Sequence, residues 1–476
     1  MGWKTYCFTV PLLPTWFVVT DPTSLEHVLK TDMHNWVKGG NFCAIFGPML
    51  GHGIFTSDGR HWLWQRKLAT HIFSVKGFKC YIDQVFAEYM DILSATAARA
   101  AATHTQLDLH DLMYRFTLDS FGKIGFGVQL GCLSSSEAKL PFAAAFDQAQ
   151  VICVERLTSP GWRLTELLNG KRTTLNACCA VIHDFATDII QQRRQLLADH
   201  DSALSRAAVS PAGPDAGAGT ASPATGAADA AADMSVKGQG ADGGAQDLLS
   251  LFMKSKNADG QLLSDKQLVD TVINFIIAGR DTTAQAVSWT LYELLQHPEV
   301  EQQLLQELHE VLGALPAGSS SRQAVHPSYE QIRQLRFTRA CFLEALRLHP
   351  SVPENIKYAV RAGTLPDGSF IPAGGQLLYS PYVVNRSKTF WGADAEAVTL
   401  VGAPQHALAY SYLSFHAGPR LCLGQRLAEI EGVYVLAGLL ARFKFSQVQP
   451  GARVGYVFST SLPMKQGLLV TVEERK

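Results

Sequence analysis

Phe415-His-Ala-Gly418-Pro-Arg420-Leu-Cys422-Leu-Gly424 is the stretch on which the reading of this 476-residue chain turns. A cysteine stands between a glycine-rich turn and a run, Gln425 to Phe443, that reads as a helix. The first turn of a helix offers unpaired N–H groups and the positive end of the helix dipole, and both favour a thiolate at Cys422. Gly418 and Gly424 let the backbone curl around the sulfur and let a flat ligand approach. Pro419 stiffens the turn, and Phe415 is placed to cover the sulfur and exclude water. Arg420 brings a positive charge suited to a carboxylate on the ligand. The ordered spacing Phe-x-x-Gly-x-Arg-x-Cys-x-Gly predicts a shielded sulfur ligand with one open side, not a plain buried cysteine.

This pattern resembles that of the cytochrome P450 monooxygenases, and the resemblance runs from about Lys4 to the C-terminus, broken by one insertion. It implies a mainly α fold with small β-sheets (α+β), a single catalytic domain over residues 1–476, and a long central helix across a haem. Cys422 is then the iron ligand of haem b, with Phe415, Gly418, Arg420 and Gly424 around it.

A hydrophobic content of 47% is enough for a deep core. Net charge is −1 and only 17% of residues are charged, so no nucleic-acid partner is expected. Nine cysteines lie scattered without a C-x-x-C pair, which disfavours a zinc or iron–sulfur framework; the adjacent Cys178 and Cys179 read as packing residues. No stretch reaches the roughly 18 apolar residues of a membrane-spanning helix. The chain begins inside the first expected β region. The family resemblance implies the cytosolic face of the endoplasmic reticulum, whereas a chain complete as given would be soluble; membrane association without an anchor stays open.

Taken in order, Tyr6–Thr20 reads as two strands and Asp21-Pro22 as the start of a helix through Lys30. Gly39–Gly59 reads as a glycine-rich loop over the substrate, carrying Phe42, Ile45, Phe46, Met49 and Leu50. Trp62 and Arg66 are four residues apart on a predicted helix and share a face, so an indole N–H and a guanidinium can serve one carboxylate. The resemblance makes that carboxylate a haem propionate. Helices are expected over Val75–Ala101, Leu107–Phe126, Pro141–Leu157 and Leu175–Leu197, with Thr158–Thr174 as a lid. Ser202–Gln246 is dominated by Ala, Gly, Ser, Pro and Asp, a composition that cannot bury enough apolar surface to offset its ordering entropy. It reads as a disordered insertion (202–246).

Asp265–Gln296 reads as the longest helix. Its middle, Ala278-Gly279-Arg280-Asp281-Thr282-Thr283, is a poor choice for a buried helix centre, and such a local cost points to a purpose. Gly279 leaves room above a flat cofactor, the threonines bend the helix by bonding back to carbonyls, and Asp281 supplies an exchangeable proton. In the family this signature makes Asp281 and Thr282 the catalytic acid and alcohol. Phe46, Phe275, Ala278, Val352 and Phe458 are expected to wall the substrate cleft, with Phe458 on a turn, Val457–Leu462. Arg280 either pairs with an acid or anchors an anionic substrate.

Glu344 and Arg347 share a helix face three residues apart and resemble the family's structural brace. Lys357 is placed to reach a propionate. The chain departs from the family between Trp391 and Tyr412, where no arginine completes the brace; either the brace is weaker, or His406 or another group substitutes. Arg60, Lys67 and Arg426 are placed to meet an acidic electron donor.

The expected activity is insertion of one oxygen atom of O2 into an apolar C–H bond of a small substrate. Electrons are expected from NADPH through a separate partner, a flavin reductase or a ferredoxin-type donor. The motifs are most similar to the fatty-acid ω-hydroxylase branch of plants and algae, which implies a fatty acid or related lipid. The alternatives are a haem–thiolate hydroperoxide isomerase or dehydratase, and a non-catalytic haem-binding protein.

Overall fold

The computed structural model describes residues 5–9, 15–70, 75–135, 140–208, 247–257, 260–313, 324–398 and 410–475. β1 (Tyr6–Phe8) and β2 (Trp16–Val18) lead into α1 (Pro22–Glu26) and a π turn (His27–Thr31), then β3 (Trp36–Val37), α2 (Gly39–Leu50) and α3 (Gly59–Thr70). Next come α4 (Val75–Tyr81), α5 (Ala87–Thr103), β4 (Leu107–Asp108), α6 (Leu109–Phe126), α7 (Pro141–Thr158), α8 (Trp162–Leu168), α9 (Lys171–Ala208) and α10 (Leu248–Lys254). α11 (Asp265–Ile276), a π turn (Ile277–Asp281) and α12 (Thr282–Gln296) form one rod, followed by α13 (Pro298–Leu312), α14 (Tyr329–Gln334) and α15 (Arg336–Leu348). β5 (Asn355–Ala359), β6 (Gly363–Thr364), β7 (Phe370–Ile371), β8 (Gln376–Tyr379), α16 (Pro381–Val384), α17 (Lys388–Trp391), α18 (Gln425–Arg442), β9 (Phe443–Gln447) and β10 (Leu469–Glu474) complete the order.

The strands form three small sheets ordered β1-β2-β8-β5-β3, β4-β10-β9 and β6-β7. The last is a hairpin turning at Pro366-Asp-Gly368, where Gly368 takes the positive φ the turn needs. The helical bulk divides into two large apolar clusters. One joins α5, α6, α12, α15 and α18 through Phe86, Phe116, Trp289, Phe342 and Tyr434. The other joins α2, α7, α9, α10 and α11 through Phe46, Phe146, Ile189, Phe252 and Phe275. The rod starts from a capping box, Ser264 with Gln267, and runs through the second cluster into the first. Its π turn therefore falls at the seam between two separately packed cores.

Three expectations are corrected. Gly39–Leu50 is a helix, not a loop: Phe42, Ile45, Phe46, Met49 and Leu50 repeat at helical spacing, and burying that stripe outweighs the three glycines and Pro48 within it. The Thr158–Thr174 lid contains α8, held by the buried ion pair of Arg156 with Glu166, whose partner nitrogen Nη1 also donates to Ile45 O of α2 at 2.9 Å. The rod is not the longest helix; α9 has 38 residues and continues to Ala208, into the expected insertion. The remainder of that insertion, 209–246, and His406 lie outside the described residues. Among the described residues no helix is long and apolar enough to cross a membrane.

Candidate active site

The cysteine turn is tied down by its own backbone. Cys422 N donates to Phe415 O at 2.9 Å, and Phe415 is buried over the turn. His416 and Gly418 both have positive φ. At Gly418 a side chain would collide with the carbonyl of Leu29, so this glycine answers the approach of the α1 segment rather than the sulfur. A side chain at Gly424 would lie 3.9 Å from Cys422 Sγ, an ordinary contact. Cys422 is exposed on this turn, so the expected shielding by Phe415 is incomplete here; the packed surroundings push its thiol up, against the amides of Gly424 and Gln425 and the guanidinium of Arg66. A metal ion bound there would favour the thiolate, since coordination deprotonates a thiol outright.

Beside this turn cations gather with too few acids. Arg66 and Arg420 lie over the ring of Trp62, at 5.8 and 4.4 Å. Arg420 donates to Ser57 O at 3.0 Å and to Asp58 at 2.7 Å. Asp58 also accepts the backbone amides of Lys38 and Gly39. Lys357, 3% exposed, has no carboxylate within ion-pair distance among the described residues. Burial pushes its ammonium well below the ordinary lysine range, and Lys38 and Arg420 push the same way. The imidazole of His416, bonded to Tyr379 Oη at 2.6 Å, is held neutral, pushed down to about 3 by burial and the same cations. Unpaired buried charge costs several kcal/mol by general estimates. This donor set fits a ligand with two carboxylates, as a haem has.

The rod changes to π winding at Ile277–Asp281, where the sequence predicts a bend. Thr282 Oγ1 donates back to Ala278 O at 2.7 Å, and Thr282 is half-buried, as are Ile277, Ala278 and Gly279, while Arg280, Asp281 and Thr283 are buried. Ser351 Oγ donates to Thr282 O at 2.8 Å, fixing the segment after α15 against the rod. Gly279 has a different reason from the expected one. A side chain there would strike the ring of Phe121 on α6, so Phe121 uses the space and not a flat cofactor.

Asp281 is 1% exposed and does not meet solvent directly. Its Oδ1 accepts from Arg280 at 2.7 Å and its Oδ2 from Gln150 of α7 at 2.8 Å. Arg280 also donates to Asp147 at 3.3 Å and lies 4.3 Å from the Tyr114 ring centre. Arg280 is thus an internal ion-pair residue and not a substrate anchor. The carboxyl of Asp281 is pushed up to about 6, first by burial, with Arg280 opposing.

Of the five substrate-wall residues, the structure brings Ala278 and Val352 to half-buried positions and leaves Phe458 exposed on its turn. Phe46 and Phe275 are buried in the second core cluster, against Phe42 and Phe252, and offer the cleft little surface. The Phe458 turn is pinned to the rod: Leu462 N donates to Gln285 Oε1 at 2.9 Å, and Gln285 Nε2 meets Tyr114 Oη and Ser461 Oγ at 2.7 Å. Gln150, Gln285, Tyr114 and Lys38 were not singled out from the sequence. For Gln150 the available signal was a carboxamide inside the apolar stripe of α7.

Glu344 and Arg347 form a two-bond ion pair at 2.7 and 2.8 Å. Arg347 further donates to the carbonyls of Asn385, Ala395 and Ala397, and its guanidinium lies 4.9 Å from the Trp391 ring centre. The carbonyls of Ala395 and Ala397 lie in the segment that lacks the family's arginine. Elsewhere, Cys422 borders a cavity of about 760 Å³ whose rim carries Arg333, Arg336, Arg339 and Arg426. Arg60 and Lys67 are exposed on α3.

A family profile described as Cytochrome P450 matches residues 7–465. The chain is 31% identical to cytochrome P450 704B1 of Arabidopsis thaliana, over 97% of this chain and 87% of that protein. It is 32% identical to cytochrome P450 monooxygenase cyp1 of Mycosarcoma maydis, over 97% of this chain and 69% of that protein. Cytochrome P450 86B1 of Arabidopsis thaliana is 29% identical over 96% of this chain and 77% of that protein.

Proposed function

The chain belongs to the cytochrome P450 family, haem-dependent oxidoreductases that incorporate oxygen, and from that premise we propose that it hydroxylates a fatty acid or related lipid with electrons from NADPH through a separate reductase. The observation that carries the site assignment is the cation-rich pocket beside Cys422, with Lys357 buried and without an acid. Arg420, Arg66, Lys357 and Lys38 would hold the two carboxylates of haem, Cys422 would hold its iron, and Phe415 would exclude water from the sulfur. Bound haem supplies the redox-active iron at which dioxygen is activated. Thr282 presents a hydroxyl on the half-open face of the rod, and Asp281 is the proton store behind it, a general acid whose burial keeps part of it protonated near neutral pH.

The lipid reading rests on the resemblance of the motif around Asp281, of the stretch Arg347-Leu-His-Pro350-Ser-Val-Pro353 and of the Cys422 motif to the fatty-acid ω-hydroxylase branch. An apolar tail fits the Ala278, Val352 and Phe458 surfaces. The arginines around the cavity next to Cys422 favour an acidic electron donor on that face, together with Arg60 and Lys67. Incubation of the haem-loaded protein with lauric or oleic acid, NADPH and a reductase tests the proposal. Hydroxylated product supports it; neither a spectral shift nor product with any fatty acid removes the lipid assignment.

A further inference from the structure

We propose that Gln150 is a positioning residue that ties Asp281 to α7 and to the Val457–Leu462 turn, so that occupation of the cleft and placement of the acid change together. The proposal rests on the functional reading above and adds a control to it. Gln150 is 2% exposed, in the apolar stripe of α7 beside Phe146 and Cys153. A carboxamide is tolerated there only when both of its ends are satisfied. Its Nε2 donates to Asp281 Oδ2 at 2.8 Å, and its Oε1 accepts from Thr460 Oγ1. One side chain thus joins α7, the rod and the Val457–Leu462 turn.

The hold on Asp281 is complete in this arrangement. Arg280 takes the other carboxylate oxygen, and among the described residues no hydrogen bond links Asp281 to the Thr282 hydroxyl, which instead bonds to Ala278 O. To protonate anything at the Thr282 face, Asp281 must leave Gln150. The groups that face it are Arg280 on the rod, Asp147 on α7, whose side chain is 48% exposed, and Tyr114 with nearby His110 on α6. Release toward Arg280 and Asp147 gives the acid a route to solvent. Phe458, two residues before Thr460, is 56% exposed, so a ligand that packs on that ring displaces the turn and with it the Gln150 bridge.

The test compares haem-loaded wild type, Gln150→Leu, Gln150→Glu and Thr460→Val. Hydrogen exchange is read over residues 141–158, 457–462 and 277–282. Without substrate, Gln150→Leu and Thr460→Val are expected to raise exchange at 277–282 several-fold. With lauric acid, all three segments of the wild type are expected to respond, whereas in Gln150→Leu the 277–282 response is lost. In turnover, both variants are expected to lose product per NADPH several-fold with KM unchanged. Gln150→Glu sets a second carboxylate against Asp281 and is expected to move the Asp281 limb of the pH profile upward. If wild type oxidises no fatty acid but the substrate-free exchange changes as stated, the lipid assignment fails and the Gln150 tie is upheld. If exchange at 277–282, product yield and pH profile all match wild type in the variants, the proposal is overturned.

Discussion

The ring of Phe121 occupies the space that the missing side chain of Gly279 leaves on the rod, at the π turn where the two cores meet. A methyl group at Gly279 has no room unless Phe121 moves. Gly279→Ala is expected to destabilise the protein by about 1–3 kcal/mol through overpacking, despite a gain in helix propensity of about 1 kcal/mol. Pairing it with Phe121→Leu should recover part of the loss, because contacting residues are not additive. Denaturant unfolding of the three variants measures this.

Glu344 and Arg347 give the next expectation. Glu344→Ala leaves the guanidinium of Arg347 buried with backbone carbonyls as its remaining named acceptors. Removal of one partner from a buried pair costs about 3–5 kcal/mol. Thermal unfolding and haem retention on heating should both fall, and a double substitution to apolar residues should cost less than Glu344→Ala alone.

Lys357 should have opposite effects with and without a bound anion. Its ammonium is depressed in the folded chain, so below the ordinary lysine range the unfolded chain binds the extra proton. Stability of the haem-free protein from this group therefore rises as pH is raised from neutrality toward that range. Lys357→Met should stabilise the haem-free protein, flatten that rise, and weaken haem binding. Melting curves against pH, with and without haem, test all three signs.

Asp281→Asn removes the carboxyl that burial pushes up to about 6. Its acid form is lost as pH rises through that value. Turnover should fall by about 10²–10⁴, the usual worth of general acid catalysis, and the pH limb near 6 should vanish. Substrate binding, read by the spectral shift, should be unchanged. A pH–rate profile of both proteins checks this.

What was legible in the sequence followed from local rules. The back-bond of Thr282, the Glu344–Arg347 pair and the Trp62–Arg66 face each depend on spacing within one helix. What was missed depends on what other segments bring. Gly279 answers Phe121, and Gly418 answers Leu29; neither is visible without the fold. Gly39–Leu50 was obscured because its glycines and Pro48 were weighed above the apolar stripe that decides its structure. Lys357 was legible as a reach toward a propionate, but Lys38 becomes informative only when α2, α3, β5 and the cysteine turn converge on too few acids.

The absorption spectrum of the reduced, carbon-monoxide-bound protein tests the central claim most directly, because it reports whether an anionic sulfur ligates the iron. Wild type should show the red-shifted band of thiolate ligation, and Cys422→Ser should lose it while keeping the fold. A wild-type protein without that band, or a Cys422→Ser protein that retains it, would contradict the assignment of Cys422 as the iron ligand.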